Sequence, residues 1–234
     1  MKDIIINTCK KFNIELNDFQ AEQFKIYYNE LIEWNSKINL TRIVEPEEVA
    51  LKHFADSLVV TKYLDIPENA SLIDVGTGAG FPGIPLKIYR GDIKLTLLDS
   101  LNKRINFLST VSDNIGIESE TIHKRAEEAG NDKDFREKYD IVISRAVARL
   151  NVLSEYCLPL VKVGGCFAAM KAAEYKEELK EAENAIKILG GEIVSVNDFE
   201  LNEAGQRAVI VIKKIKETPE KYPRNSKKIK NKPL

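Results

Sequence analysis

Cysteine is scarce in this sequence and has no partner spacing: Cys9, Cys157 and Cys166 are the only three, and no CxxC pair occurs. Such an odd set spells neither a disulfide framework nor a zinc ribbon. A three-cysteine iron–sulfur motif is missing as well, which disfavours radical chemistry. Buried thiols in a reducing compartment are expected instead. Long hydrophobic runs are also lacking. The opening Met-Lys-Asp-Ile-Ile-Ile-Asn is too short for a signal peptide, and nothing approaches the roughly 18 residues of a membrane span. A soluble cytoplasmic protein with no membrane partner and no metal is the expectation. Excess charge is the third absence. Lys and Arg total 35 against 36 Asp and Glu, a net charge of −1, which at face value excludes the strongly basic surface of a nucleic-acid binder.

That balance hides a division. Lys213 to Leu234 carries nine basic residues, two acids and three prolines, so a basic tail offsets an acidic body. Lysine and proline density predicts a flexible segment over 216–234, suited to phosphates. The remaining length supports one to two domains, and 44% apolar residues among 234 suffice for a full core. From Leu16 to about Leu64 the apolar residues Phe19, Phe24, Tyr27, Leu31 and Trp34, then Val49, Phe54 and Leu58, fall at helical spacing, with Pro46-Glu47-Glu48 suited to a helix first turn. This predicts an N-terminal helical cap over 1–68. After Pro67 the texture changes to strand-like runs at Leu72 to Val75, Lys94 to Leu98, Thr121 to His123, Ile141 to Ser144 and Cys166 to Met170. Helical patterns separate them at Leu101 to Asn114, Leu150 to Leu160 and Glu174 to Leu189. The alternation predicts an α/β domain over 69–215 with a parallel sheet covered on both faces. Glu192 to Val196 and Arg207 to Ile215 are suited to an antiparallel edge.

The strongest local signal is Leu72-Ile73-Asp74-Val75-Gly76-Thr77-Gly78-Ala79-Gly80-Phe81-Pro82-Gly83, a strand entering a glycine-rich turn. Glycine permits positive φ and close approach of a ligand to the backbone. A GxGxxG frame at Gly78, Gly80 and Gly83 keeps a nicotinamide-dependent oxidoreductase in view. That frame starts late, however, and Pro82 sits where a helix should offer N–H groups to a pyrophosphate. Asp74 instead completes DxGxGxG, which fits a ligand with a cationic amino-acid end and no phosphates, such as S-adenosyl-L-methionine. Asp99 ends the second strand, where a carboxylate can accept ribose hydroxyls. Arg125-Ala126-Glu127-Glu128 follows the third strand, in position for an adenine. After the fourth strand come Arg145 and Arg149, able to meet a phosphate or a carboxylate. An Asn/Asp-Pro-Pro-aromatic loop is absent there, as is a Pro-Cys loop, which argues against exocyclic-amine methylation and against covalent attack on a pyrimidine.

Taken with Leu97-Leu98-Asp99-Ser100-Leu101-Asn102-Lys103-Arg104, Ile143-Ser144-Arg145-Ala146, Met170-Lys171, Trp34-Asn35, Asn39-Leu40-Thr41 and Asp56-Ser57, the glycine loop makes nearly the whole chain resemble the RsmG (GidB) family. The resemblance implies a Rossmann-like class I methyltransferase that moves a methyl group from S-adenosyl-L-methionine to N7 of a guanine in 16S ribosomal RNA of the 30S subunit. It also implies cofactor contacts at Gly76, Phe81, Ala126, Glu127 and Arg145, to which the residues themselves add Asp74, Gly78 and Asp99. Guanine N7 carries a free lone pair, so no general base is required; positioning carries the reaction, with Arg145 and Lys171 as the candidates. An arginine forked onto O6 and N7 would block the nucleophile, so Arg145 and Arg149 are expected on O6, phosphate or cofactor. Lys103, Arg104, Arg149 and Arg224 are expected to contact RNA. His53 and Asp56 are read as a structural hydrogen-bonding pair and Trp34 as core. A non-catalytic RNA-binding assembly factor on the same fold is the remaining alternative.

Overall fold

The structure, a computed structural model, describes residues 1–234 apart from the side chain of Glu203. The chain opens with α1 (Lys2–Lys10) and α2 (Asp18–Ile38). A reciprocal capping box between Asn17 and Gln20 starts α2, and Asn39 ends it in the left-handed region at φ 51°. Next, α3 (Pro46–Val49) runs through a π-helical stretch, Ala50–Ala55, into α4 (Asp56–Val59). The alternating part follows as β1 (Ser71–Val75), α5 (Gly83–Tyr89), β2 (Lys94–Asp99), α6 (Asn102–Ile115), β3 (Ser119–His123), α7 (Ala126–Asn131), β4 (Tyr139–Arg145), α8 (Leu150–Cys157), β5 (Val161–Ala172) and α9 (Tyr175–Ile188). It closes with β6 (Gly191–Glu200), β7 (Gln206–Lys214) and a last short helix, α10 (Ser226–Asn231).

The strands form one seven-stranded sheet in the order β3-β2-β1-β4-β5-β7-β6. β1 to β5 are parallel, and β7 inserts antiparallel between β5 and β6. Strand residues alternate between two apolar layers, as a sheet buried on both faces requires. Leu72, Leu97, Ile141 and Ile143 join one cluster; Ile73, Val75, Leu98 and Val142 join the other.

The N-terminal part is helical, as expected, and packs onto the sheet: the first cluster also contains Phe24, Tyr27, Leu31, Phe54 and Leu58, all fully buried, so these helices share one core with the strands. Helix α5 is only seven residues long and leaves that face of the sheet in need of more cover. One expectation is corrected here, that of the tail, which folds back onto the body. Lys214, fully buried, donates from Nζ to the Leu158 carbonyl at 2.6 Å and to Thr218 Oγ1 at 2.7 Å, and pairs with Glu137 at 3.0 Å. Arg136 donates to the carbonyls of Thr218 at 2.6 Å and Tyr222 at 2.8 Å. Ile229 on α10 is fully buried. The composition of 216–234 is that of a free tail, but a few anchors with buried partners on the body hold it down.

Candidate cofactor and substrate site

The strand order reverses between β1 and β4, and the crevice at their C-terminal ends is where such sheets bind ligands. The glycine turn leaves β1 at this point. Gly76 lies at φ +69°, and a Cβ there would stand 2.6 Å from Val147 Cγ2, so only glycine lets the loop after β4 lie across it. Asp74 is fully buried beneath the turn. Its Oδ2 accepts from Thr77 Oγ1 at 2.7 Å and from the Gly83 amide at 2.8 Å, while Oδ1 has no partner. Burial pushes this carboxyl up to about 6, against the pull of those two donors. Asp74 therefore braces the turn from below.

Beside the turn lies a cavity of about 320 Å³ bordered by Gly76, Asp99, Ala126, Glu127, Val147 and Tyr156. Asp99, 2% exposed, accepts from the Gly78 amide at 2.9 Å and from Arg104 at 3.2 Å through Oδ2, and from the Leu101 amide at 2.9 Å through Oδ1. Gly78 thus acts by orienting Asp99. Arg104, expected on RNA, is drawn onto the same carboxylate. Ser226 and Lys230 of α10 form part of the cavity wall, and Ser226 Oγ stands 3.4 Å from the Tyr156 hydroxyl. Neither stands out in the sequence, because nothing local separates Lys230 from the lysines around it; only the fold-back of the tail brings Ser226 and Lys230 to this wall.

A second cavity of about 500 Å³ shares the Ala146-Val147-Ala148 wall and is bordered by His53, Asp56, Arg145, Lys171, Phe199 and Arg207. Ala146 holds φ +57°, a conformation L-residues rarely adopt, at the point where both cavities meet. Arg145 donates to Asp56 Oδ2 at 2.5 Å and to the Lys52 carbonyl at 3.3 Å, and its guanidinium lies over the Phe81 ring at 5.2 Å. It therefore ties β4 to the N-terminal helices. Lys171 donates to the Ala148 carbonyl at 2.8 Å and pairs with Glu178 at 2.5 Å, which fixes the loop after β4. The Phe81 ring is 6% exposed and stacked between Tyr27 at 5.4 Å and His53 at 4.5 Å, so this side chain supports the turn and does not face the first cavity.

The expected His53–Asp56 pair does not form. Each has another partner: His53 Nε2 lies 2.9 Å from Thr41 Oγ1, and Asp56 meets Arg145, with Arg207 Nε at 3.7 Å. Burial, reinforced by the Arg145 charge, pushes the His53 imidazole down to about 3, so it is neutral near pH 7. Among the residues expected on RNA, Arg224 is a correction. It forks onto Glu155, which is fully buried, at 2.8 and 2.6 Å, and its amide donates to the same carboxylate at 2.8 Å. Arg149 is exposed but paired with Glu181 at 2.8 Å, while Lys103 is exposed at the start of α6. Trp34 packs against Phe107 with ring centroids 5.8 Å apart and is only half-buried. Among the described residues, no group of three His, Cys, Asp or Glu side chains could hold a metal ion, and no helix is long and apolar enough to cross a membrane.

The sheet order and the paired cavities at its switch point define a class I S-adenosylmethionine-dependent methyltransferase. Solved structures share the fold. A SAM-dependent methyltransferase from Aquifex aeolicus is 16% identical, with a TM-score of 0.55 over 74% of this chain and 96% of its own. TrmN from Thermus thermophilus is also 16% identical, with a TM-score of 0.55 over 68% of this chain and 48% of its own. The family model GidB, rRNA small subunit methyltransferase G, matches residues 20–210, and the chain belongs to that family. Ribosomal RNA small subunit methyltransferase G of Desulforamulus reducens is 52% identical over 97% of this chain and 96% of that protein. Its counterpart in Bacillus velezensis is 51% identical over 94% and 92%. Membership in this family sets aside the nicotinamide-dependent oxidoreductase.

Proposed function

We propose that this protein methylates N7 of one guanine in 16S ribosomal RNA, within the 30S subunit in the cytoplasm. The first cavity is suited to the nucleoside of S-adenosyl-L-methionine: Gly76 leaves backbone space, Asp99 borders it as the carboxylate to accept ribose hydroxyls, and Ala126 and Glu127 line it as well. Bound there, the cofactor supplies an electrophilic methyl group on a sulfonium. Asp74 and Gly78 hold the turn and Asp99 in place, while Lys171 and Arg145 hold the loop that joins the two cavities.

The observation that carries the N7 assignment is the state of the second cavity's titratable groups. His53 is neutral and a very weak base, Asp56 is paired with Arg145, and Lys171 is paired with Glu178. A nucleophile that had to lose a proton would find each of these groups already engaged with another residue. Guanine N7 needs none, since its lone pair is already available in the major-groove edge. Positioning then supplies the rate. Single-turnover transfer from labelled cofactor to 30S subunits and to naked 16S RNA, followed by mapping of N7-methylguanosine, tests this proposal. Label on an exocyclic amine would refute it, and RNA binding without transfer would favour the assembly factor.

A further inference from the structure

Two of the buried polar atoms that lack a partner, His53 Nδ1 and Asp56 Oδ1, belong to residues that border the second cavity. Both residues come from one helical stretch, and each is held from behind. Thr41 Oγ1 accepts the Ile43 amide at 3.0 Å, which directs its own proton to His53 Nε2 at 2.9 Å. The neutral ring then carries its hydrogen on Nδ1 as a donor. Stacking on Phe81 fixes the plane of that ring. Asp56 is fixed by Arg145 on Oδ2, and its Oδ1, with Arg207 Nε at 3.7 Å and no hydrogen-bond partner, keeps acceptor capacity. One buried donor and one buried acceptor thus lack partners beside a cavity whose volume is in the range of ligand pockets. A buried polar atom without a partner is costly, and a ligand that satisfies it recovers that cost.

We infer that His53 and Asp56 read the Watson–Crick edge of the target guanine, with His53 Nδ1–H donating to O6 and the Asp56 carboxylate accepting from N1–H and N2–H. This assignment rests on the N7 reading above and explains how the base is recognised without loss of its nucleophile. The usual arginine fork on O6 and N7 would occupy the lone pair; an edge read through O6, N1 and N2 leaves it clear. Adenine is rejected twice. Its N6 amine would face the His53 donor, and its N1 lone pair would face the Asp56 carboxylate. Unpaired polar groups of this kind discriminate strongly because the site itself is left unsatisfied.

The test uses the full-length protein and 30S subunits reconstituted with 16S RNA that carries guanosine, inosine or 7-deazaguanosine at the mapped target. Inosine lacks only the N2 amine, so the wild type should methylate it about tenfold or more slowly in kcat/KM, the scale of one charge-assisted hydrogen bond. Asp56→Asn should lower guanosine methylation by about a hundredfold and bring the guanosine-to-inosine ratio close to one, with cofactor affinity within about twofold. His53→Asn, which keeps a donor near the Nδ1 position, should retain more activity than His53→Phe, which keeps only the ring. A wild-type ratio near one overturns the inference even if Asp56→Asn fails to fold, and so does a ratio unchanged in a folded Asp56→Asn. Methylation of the 7-deazaguanosine target is a separate result: it would overturn the N7 reading and the edge assignment with it.

Discussion

Asp74 shows how a single buried carboxyl sets a pH response. Its folded pKa of about 6 lies above its ordinary value of 3.8. The acid form is therefore the one the fold prefers, and its contribution is whole below about pH 4 and lost as pH rises through 6. Asp74→Asn keeps an acceptor for Thr77 and Gly83 but cannot ionise. Urea unfolding should show the wild type losing about 1–2 kcal/mol relative to this variant between pH 5 and 7.5. A constant difference across that range would place Asp74 at its ordinary pKa. At Gly76 the constraint is steric. Gly76→Ala puts a Cβ 2.6 Å from Val147 Cγ2 and forces alanine into φ +69°. Calorimetry should show cofactor affinity reduced by about tenfold or more, partly restored by Val147→Ala, since that change removes the collision but not the backbone strain.

At the scale of elements, the unforeseen one is α10. Its anchor is the Arg224 fork on Glu155, a carboxylate with no exposure. Arg224→Ala would leave that charge buried and unpaired, a loss of about 3–5 kcal/mol in denaturant unfolding. Deletion of residues 225–234 spares Arg224 but removes Ser226 and Lys230 from the first cavity's wall. It should weaken S-adenosylhomocysteine binding several-fold by calorimetry; unchanged affinity would remove α10 from the site. The sequence made other elements legible for physical reasons. β1, β2 and β4 are buried on both faces and so read as continuous apolar runs, and the glycine turn follows from backbone needs. Antiparallel pairing of β6 and β7 was legible too, but not the insertion of β7 between β5 and β6, since both strands carry similar patterns. What sequence could not show is long-range pairing. Glu155 looks like any helix acid until Arg224 reaches it, and His53 and Asp56 look like mutual partners until Thr41 and Arg145 claim them.

Over the whole molecule, the near-zero net charge becomes a statement about location. Several cations expected to meet RNA are committed to carboxylates: Arg224 to Glu155, Arg149 to Glu181 and Arg104 to Asp99. The exposed lysines of the folded tail are a different case. Lys227, Lys228 and Lys232 are exposed around α10, whose Lys230 borders the first cavity. Basic charge thus stands beside the site on an ordered element, where phosphates of a bound RNA would lie close to the reacting base. Each neutralised phosphate contributes close to one unit to the dependence of binding on salt. Replacing Lys227, Lys228 and Lys232 together by Gln should lower the slope of log K against log salt by about 2–3 for 16S RNA or 30S subunits. Cofactor affinity should hold, because Ser226, Lys230 and the Arg224 anchor are untouched. Filter binding across a salt series measures the slope; an identical slope would mean that the RNA path runs elsewhere, with Lys103 at the start of α6 the next candidate.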